Sequence, residues 1–266
     1  MSSDVGRRAP DGSPYPVPGT PTFERDVRAM FTHIAIGYDR FDHLVSLGND
    51  FVWRPRAFWD LDRFRGAAAP GRVLDVGCGP GNLSRLAAHR FPSAGVVGTD
   101  VTAAMLTRAR AETTGRRPYA RTDWAAATAG RLPFKDGSFD LLVSAFVLRN
   151  LASLPAAFGE FRRVLRPGGS ALLLEITEPP SDAFRRLFHA YFDSFVPWLG
   201  AALGASGPYR YLPESLRRLP GRGELLRLLD EAGFARAVAR PQSLGIVTTY
   251  LAEAGAPASG VPGRSR

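Results

Sequence analysis

The residues best suited to chemistry lie in a glycine-rich segment that follows a short apolar run. The stretch RVLDVGCGPGNL covers residues 72–83 and places glycines at positions 77, 79 and 81, with Asp75 just before them. Because glycine has no side chain, a ligand can approach the backbone closely at the end of a buried strand. Dinucleotide sites use G-x-G-x-x-G, with pyrophosphate at the helix N-terminus. The G-x-G-x-G spacing instead favours a nucleoside without phosphates, such as S-adenosylmethionine.

Three carboxylates near this segment are candidate ligands for such a nucleoside. Asp75 lies close enough to orient the glycine loop or to hold an ammonium group. Asp100 ends the apolar run AGVVGTD, with Val101 beside it, and a carboxylate there can accept hydrogen bonds from both ribose hydroxyls or cap the next helix. Asp123 ends the weaker run PYARTD, where it could face an adenine amino group, with Trp124 beside the ring, or lie in a solvated loop.

Other catalytic chemistries find little support in the sequence. The single cysteine, Cys78, has no base partner in sight, and the four histidines lack the spacing of metal ligands. Neither a G-x-S-x-G elbow nor a G-x-x-x-x-G-K-[ST] loop is present. We therefore expect no metal site and no nucleophilic cysteine or serine.

Composition narrows the class of protein further. The 266 residues carry a net charge of +9, but all but one of the positive charges are arginines, and no dense basic block is interleaved with aromatic residues. We therefore expect no nucleic-acid partner, whereas attraction to an anionic membrane surface stays open. One cysteine fits a reducing cytoplasm, and neither a signal peptide nor an apolar run of ~18 residues is found. These features indicate a cytoplasmic protein, with peripheral membrane contact at the inner face left open.

The elements that must position these residues alternate along the chain. Short apolar runs alternate with amphipathic stretches, which predicts an α/β fold. The expected fold is a Rossmann-like, seven-stranded, mostly parallel sheet with helices on both faces. Two aromatic, helical regions break the alternation, at residues 22–66 before the first strand and at 182–220 after the fifth. We expect both regions to cover a site at the carboxyl edge of the sheet.

These motifs together resemble class I S-adenosylmethionine-dependent methyltransferases. VLDVGCGPGNL, GTD, LPFKDGSFD and RRVLRPGG match that superfamily in order and spacing. The stretches MFTHIAIGYDRFDHLVSLGNDFVWR, FVLRN, LEITEPP and YRYLPESLRRLPGRGELLRLLDEAGF are similar to the ubiquinone/menaquinone biosynthesis C-methyltransferases. The resemblance covers about residues 24–252. It implies a helical lid at 22–66 and a methyltransferase domain at 67–252. The Pro-, Gly- and Ser-rich composition predicts a disordered tail at 1–21 and a second at 253–266.

The resemblance implies a role for each matching residue of the cofactor site. Gly77, Gly79 and Gly81 would face the methionine part of the cofactor, and Asp100 the ribose. Pro80 stands where threonine is common, Ala145 where serine is common, Asp42 where asparagine is common and Tyr250 where histidine is common. For adenine, counting back from LPF selects Thr128 and Ala129, whereas counting along the strand selects Asp123 and Trp124. We favour Asp123, with AAATAG read as an insertion.

The resemblance also implies the reaction, which is C-methylation of the ring of a prenylated benzoquinol or naphthoquinol. Arg149 of the FVLRN motif would favour a phenolate or organise water for proton transfer, and Asn150 would shape the loop. Tyr38 would fold over the cofactor as part of the lid. A methyltransferase for a soluble aromatic or polyketide metabolite and a non-catalytic cofactor-binding protein are the alternatives. The implied partner is a lipophilic quinol, and a homodimer stays open.

Overall fold

A twisted seven-stranded sheet forms the centre of the computed structural model, which describes residues 16, 20–35, 45–46, 48–66, 68–116, 119–198 and 206–256. The strands are β1 (Arg72–Val76), β2 (Gly95–Asp100), β3 (Thr122–Ala126), β4 (Phe139–Ala145), β5 (Leu165–Ile176), β6 (Phe234–Gln242) and β7 (Val247–Ala254). Their order is β3-β2-β1-β4-β5-β7-β6. Only β7 runs antiparallel to its neighbours, which confirms the predicted fold class.

Helices pack on both faces of this sheet. In the described residues they are α1 (Phe23–Ile34), α2 (Asp50–Arg65), α3 (Asn82–Arg90), α4 (Ala103–Thr113), α5 (Leu154–Val164), α6 (Asp182–Ala190), α7 (Ser206–Arg218) and α8 (Arg222–Glu231). A π-helical turn, Tyr191–Phe195, continues α6. None of the described helices is long and apolar enough to cross a membrane.

The central strands are buried on both sides, as parallel strands between two helical layers must be. Val73 and Val143 belong to one apolar cluster, whereas Leu74 and Leu142 point to the cluster on the opposite face, and all four are fully buried. β1 pairs with β2 and β4 along its length, from Arg72 opposite Gly95 onward. The carboxyl ends of β1, β2 and β4 therefore meet at one edge of the sheet, where open α/β folds bind ligands.

The two aromatic regions lie over the same face of the sheet. Trp53 and Phe58 of α2 share an apolar cluster with Phe188 of α6, Phe192 of the π-helical turn and Leu212 of α7. All five side chains are buried. The helices before the sheet and the insertion after β5 thus form one cover, which encloses space above the carboxyl ends of the strands.

Candidate functional site

The glycine loop after β1 has a conformation that only glycine adopts readily. Gly77, Gly79 and Gly81 have φ values of +69°, +54° and +86°. A Cβ at Gly77 would lie 2.5 Å from Val147, and one at Gly81 would lie 2.6 Å from Trp124, so both positions are closed by packing. A Cβ at Gly79 would meet no atom within 4 Å. The outer two glycines thus let the loop pack, and the middle one leaves open space for a ligand.

Asp100, at the end of β2, is tied to this loop. Its Oδ2 accepts a hydrogen bond of 2.9 Å from the Gly79 amide, and its Oδ1 accepts one of 2.8 Å from the Thr102 amide. The carboxylate is only 9% exposed, and this burial raises its pKa. Each carboxylate oxygen has a further lone pair, so Asp100 can accept two hydroxyl donors while it holds the loop.

Asp75 lies behind the loop rather than in the cavity. Its Oδ2 accepts a hydrogen bond of 2.5 Å from the Ser84 hydroxyl of α3. Its Oδ1 is buried without a hydrogen-bond partner among the described residues. Burial, reinforced by the nearby Asp100 charge, raises the pKa of Asp75 to about 7. Of the two expectations for Asp75, this geometry supports orientation of the loop through Ser84.

Asp75→Asn should stabilise the cofactor-free protein more at pH 8 than at pH 5. Because its pKa is raised from 3.8 to about 7, the folded state binds more protons at Asp75 than the unfolded state does, and stability is lost as the pH rises from about 4 to about 7. Asparagine cannot ionise, so its gain in unfolding free energy should be larger by about 3 kcal/mol at pH 8 than at pH 5. Urea denaturation at both pH values measures this, and a gain independent of pH would contradict it.

A cavity that is partly open to solvent lies above the glycine loop. The predicted residues that line it are Gly77, Gly79, Asp100, Val101, Ala145 and Asn150. Val27 and Phe31 of α1 line it too, which sequence reasoning missed, because their apolar spacing is also typical of a helix packed on the core. Pro80 is buried in the loop but does not line this cavity. Tyr38, the predicted lid residue, lies outside the described residues.

The structure corrects the predicted position of the third strand. Asp123 does not end the third strand: it is the second residue of β3, is exposed, and pairs in register with Val97, while the strand continues to Ala126. A 3₁₀ turn occupies Tyr119–Arg121, where the strand was predicted to begin. The chain beyond β3 brings Ala127 and Ala129 to the cavity instead, close to the alternative of Thr128 and Ala129.

Trp124 supports the loop rather than lining the cavity. A Cβ at Gly98 of β2 would lie 2.4 Å from Cζ3 of Trp124, and one at Gly81 would lie 2.6 Å from Cη2. The indole therefore fills space that two glycines leave free beneath the loop. The prediction that Trp124 lies beside an adenine ring is not supported by this packing.

The turn after β4 separates this cavity from a second one. Phe146 lines both cavities, has a φ of +62°, and donates its amide to the Leu174 carbonyl at 2.7 Å. A non-glycine residue in that region is strained, and such strain clusters at functional sites. The second cavity has mostly apolar walls, formed by Val45, Trp53, Phe146, Ile176, Phe192, Leu212 and Ile246, together with Ser46, Asp50 and Arg149.

Arg149 enters the second cavity as half of a buried ion pair. Its Nη1 donates to Oε1 of Glu175 at 2.5 Å, and the exposed fractions of the two side chains are 8% and 0%. Arg149 therefore does not form a surface salt bridge. Sequence reasoning missed Glu175, although an acid inside the apolar strand SALLLEI was a signal for a buried partner.

Asn150 lies next to Arg149 but lines the first cavity. Its Nδ2 donates to the Phe146 carbonyl at 3.4 Å, a long hydrogen bond that helps to shape the turn. Its Oδ1 is buried and has no hydrogen-bond partner within the described part of the chain. An unsatisfied buried acceptor beside a cavity is the arrangement expected where a ligand supplies the donor.

The first cavity fits S-adenosylmethionine. The open side of Gly79 admits the methionine part without contact from a side chain, the Asp100 carboxylate can bind the ribose hydroxyls, and Ala127 and Ala129 leave room for a flat base. A G-x-G-x-G loop, an acid at the end of β2 and this strand order define a class I S-adenosylmethionine-dependent methyltransferase. The chain belongs to the ubiE/COQ5 methyltransferase family, whose match spans residues 20–253.

Two methyltransferases match most of the chain in sequence. A demethylmenaquinone methyltransferase of Thermus thermophilus is 41% identical over 207 residues, which are 77% of this chain and 91% of that protein. The ubiquinone/menaquinone biosynthesis C-methyltransferase UbiE of Geobacter sulfurreducens is 36% identical, over 86% of this chain and 88% of that protein. These matches confirm the predicted family.

Solved structures agree with the fold. A Haemonchus contortus phosphoethanolamine N-methyltransferase, solved with S-adenosylhomocysteine, has a TM-score of 0.62 at 17% identity, over 86% of this chain and 60% of that one. The CurJ carbon methyltransferase has a TM-score of 0.55 at 20% identity, over 75% of this chain and 52% of that one. At these identities the likeness concerns the fold.

Proposed function

We propose that the chain transfers a methyl group from S-adenosylmethionine to a ring carbon of a prenylated quinol, either demethylmenaquinol or a related benzoquinol. The observation that carries this proposal is the second cavity, in which mostly apolar walls surround the Arg149 guanidinium, and Phe146 lines both this cavity and the cofactor cavity. A quinol ring offers apolar faces and a hydroxyl, which match those walls and Arg149. Names of relatives, demethylmenaquinone methyltransferase among them, support the same substrate class.

The bound cofactor supplies an activated methyl group on a sulfonium. The chain has to make the acceptor carbon nucleophilic, hold it in line and exclude water. A ring carbon gains nucleophilicity when the hydroxyl beside it ionises, and Arg149 would favour the phenolate by donating hydrogen bonds to it. The walls of α2, α6 and α7 would keep bulk water away from that charge. After transfer, a water held near Arg149 would take the ring proton.

The test is methyl transfer by the purified protein to demethylmenaquinol in detergent, followed by mass spectrometry. We expect a product heavier by one methylene, and little turnover of a soluble aromatic acceptor that lacks the prenyl chain. A complementary readout is the quinone of a deletion strain, which should lack its ring methyl. A strain whose quinone keeps that methyl would remove the prenylated-quinol assignment and leave the soluble aromatic metabolite as the candidate.

A lipophilic acceptor also favours peripheral membrane contact, and one surface supports this part of the proposal. We call it the outer stripe: Phe184, Leu187, Tyr191, Phe195 and Trp198, which recur at helical spacing along α6 and its continuation. All except Tyr191 are large apolar side chains at least 42% exposed. The Tyr191 hydroxyl donates to the Val45 carbonyl at 3.2 Å, which places the stripe beside the second cavity. The net charge of +9 suits an anionic bilayer.

Trp198→Ser should weaken binding to vesicles that contain phosphatidylglycerol by about tenfold, because an interfacial indole is lost from the apolar stripe. Co-sedimentation measures the bound fraction. Trp59→Ser is the matched control, since Trp59 is also exposed but lies at the opposite edge of the sheet, near the loop before β2. Equal vesicle binding by both variants would overturn the proposal of membrane contact. The proposal would also be overturned if light scattering showed a dimer that only Trp198→Ser dissociates. The dimer result would instead support the homodimer that the sequence left open.

A further inference from the structure

We infer that Glu175 is a positioning residue for the proposed reaction: it fixes the direction of the Arg149 guanidinium and sets the charge that the acceptor hydroxyl meets. The inference rests on the proposed function, because it assigns Arg149 to the acceptor. Glu175 does not line the second cavity, so it acts through Arg149 and not on the substrate.

The geometry binds Arg149 to Glu175 at two points. Oε1 of Glu175 accepts from Arg149 Nη1 at 2.5 Å, and Oε2 faces the Arg149 amide at 3.3 Å. Oε1 also accepts from the Ile176 amide at 2.9 Å, which anchors the carboxylate to its own strand. The carboxylate thus holds both the main chain and the side chain of Arg149. Because a guanidinium is planar, fixing one edge fixes the direction of its other N–H groups.

A purely structural reason for this pair is weak. Burying two charges carries a desolvation penalty that their attraction often fails to repay, and apolar residues of similar volume would fill the space as well. The pair lies beside the second cavity, at the turn that Phe146 and Asn150 share with the cofactor cavity. A charged pair at this position has a chemical use. Because the guanidinium of Arg149 is paired with Glu175, it can donate hydrogen bonds to an acceptor without attracting an ion from solvent.

Other ionisable groups around the pair come from four elements. In the described residues they are Tyr211 and Arg218 of α7, Tyr250 of β7, Asp50 and Arg54 of α2, and Arg222 of α8. Burial raises the pKa of both tyrosines, so they are neutral near pH 7. Asp50 accepts from Arg54 at 2.8 Å and is already compensated. Removing the Glu175 charge would therefore take away the buried carboxylate that contacts Arg149 at 2.5 Å.

Two variants separate charge from direction. Glu175→Gln changes the charge of the pair from zero to +1, so the acceptor hydroxyl should ionise more readily and the acid limb of the kcat–pH profile should move down by about one unit. Glu175→Asp keeps the charge but retracts the carboxylate, so the limb should stay in place while kcat falls at least about tenfold from misdirection of the guanidinium. Purified protein, cofactor and demethylmenaquinol in detergent suffice.

Glu160→Gln is the matched control. Glu160 also pairs with an arginine, at 2.7 Å from Arg163, and also accepts a backbone amide, that of Leu132 at 2.8 Å, but it lies outside both cavities. It should leave the limb and kcat unchanged. The inference would be overturned if the acid limb of the kcat–pH profile stayed in place in Glu175→Gln. If the glutamine variant fails to fold, a kcat equal to that of the wild type in Glu175→Asp would overturn it instead. Failure of the proposed function is distinguishable, because the wild type would then give no methylated quinol.

Discussion

Arg149→Met should lower kcat for quinol methylation by about 10²–10³-fold while the Kd for S-adenosylmethionine stays within about twofold, as for loss of one donor to a developing oxyanion. Arg149 lines the second cavity but not the first, so the cofactor loses no contact with it. Methionine fills a similar volume but cannot donate to a phenolate. Steady-state kinetics and calorimetry with the cofactor measure the two quantities.

The stability of the variant has to be followed beside its activity. Loss of Arg149 leaves Glu175 buried and unpaired, which costs about 3–5 kcal/mol in comparable cases. The double variant Arg149→Met, Glu175→Gln removes both charges and should recover most of that stability, yet stay inactive. If turnover returned with stability, or if cofactor affinity fell as far as kcat, Arg149 would be a structural residue.

Much of the fold could be predicted because its signals are local. The runs RVLDV and FDLLVSA are apolar enough to be buried on both faces, and a glycine directly follows β1 and β7. The glycine loop could be predicted for the same reason, since positive φ at three alternate positions is required by the backbone itself. Asp100 was found because its place at the end of β2 follows directly from that strand.

The third strand was misplaced because its sequence carries little signal. The segment TDWAA, residues 122–126, has no clear alternation of apolar and polar residues. Its start is set by pairing with β2, where Val96 lies opposite Thr122. That pairing joins residues distant in sequence, which a local pattern does not reveal. Because β3 ends at Ala126 and not at Asp123, counting along the predicted strand selected Asp123 for adenine, whereas Ala127 and Ala129 line the cavity.

The missed partners have the same cause. Glu175 meets Arg149 across 26 residues of sequence, and Trp124 meets Gly81 only once β3 is paired. In the sequence alone, Glu175 is typical of a residue at the end of a strand, and Trp124 is typical of an aromatic residue in the core. Only the packing of β5 beside β4 brings the glutamate under the turn that carries Arg149.

Asp100→Asn should raise the Kd for S-adenosylmethionine by about 10²-fold, because hydrogen bonds to a charged acceptor contribute about 1.5–3 kcal/mol each. Asparagine keeps one acceptor oxygen but replaces the other with an amino group. In the variant, that amino group would face the amide of either Gly79 or Thr102. Both amides now donate hydrogen bonds to the Asp100 carboxylate. Both the ribose contact and the position of the glycine loop would suffer. Calorimetry with S-adenosylmethionine and its demethylated product measures the loss.

Asp123→Asn provides the matched control, since it is the same substitution at the carboxylate that the sequence favoured for adenine. Asp123 is exposed and does not line the cavity, so its replacement should leave the Kd within about twofold. A large loss there with none at Asp100 would restore the sequence-based assignment and contradict the structure. Loss at Asp100 alone would mean that the ribose carboxylate also holds the loop, so that cofactor binding and loop geometry depend on one side chain.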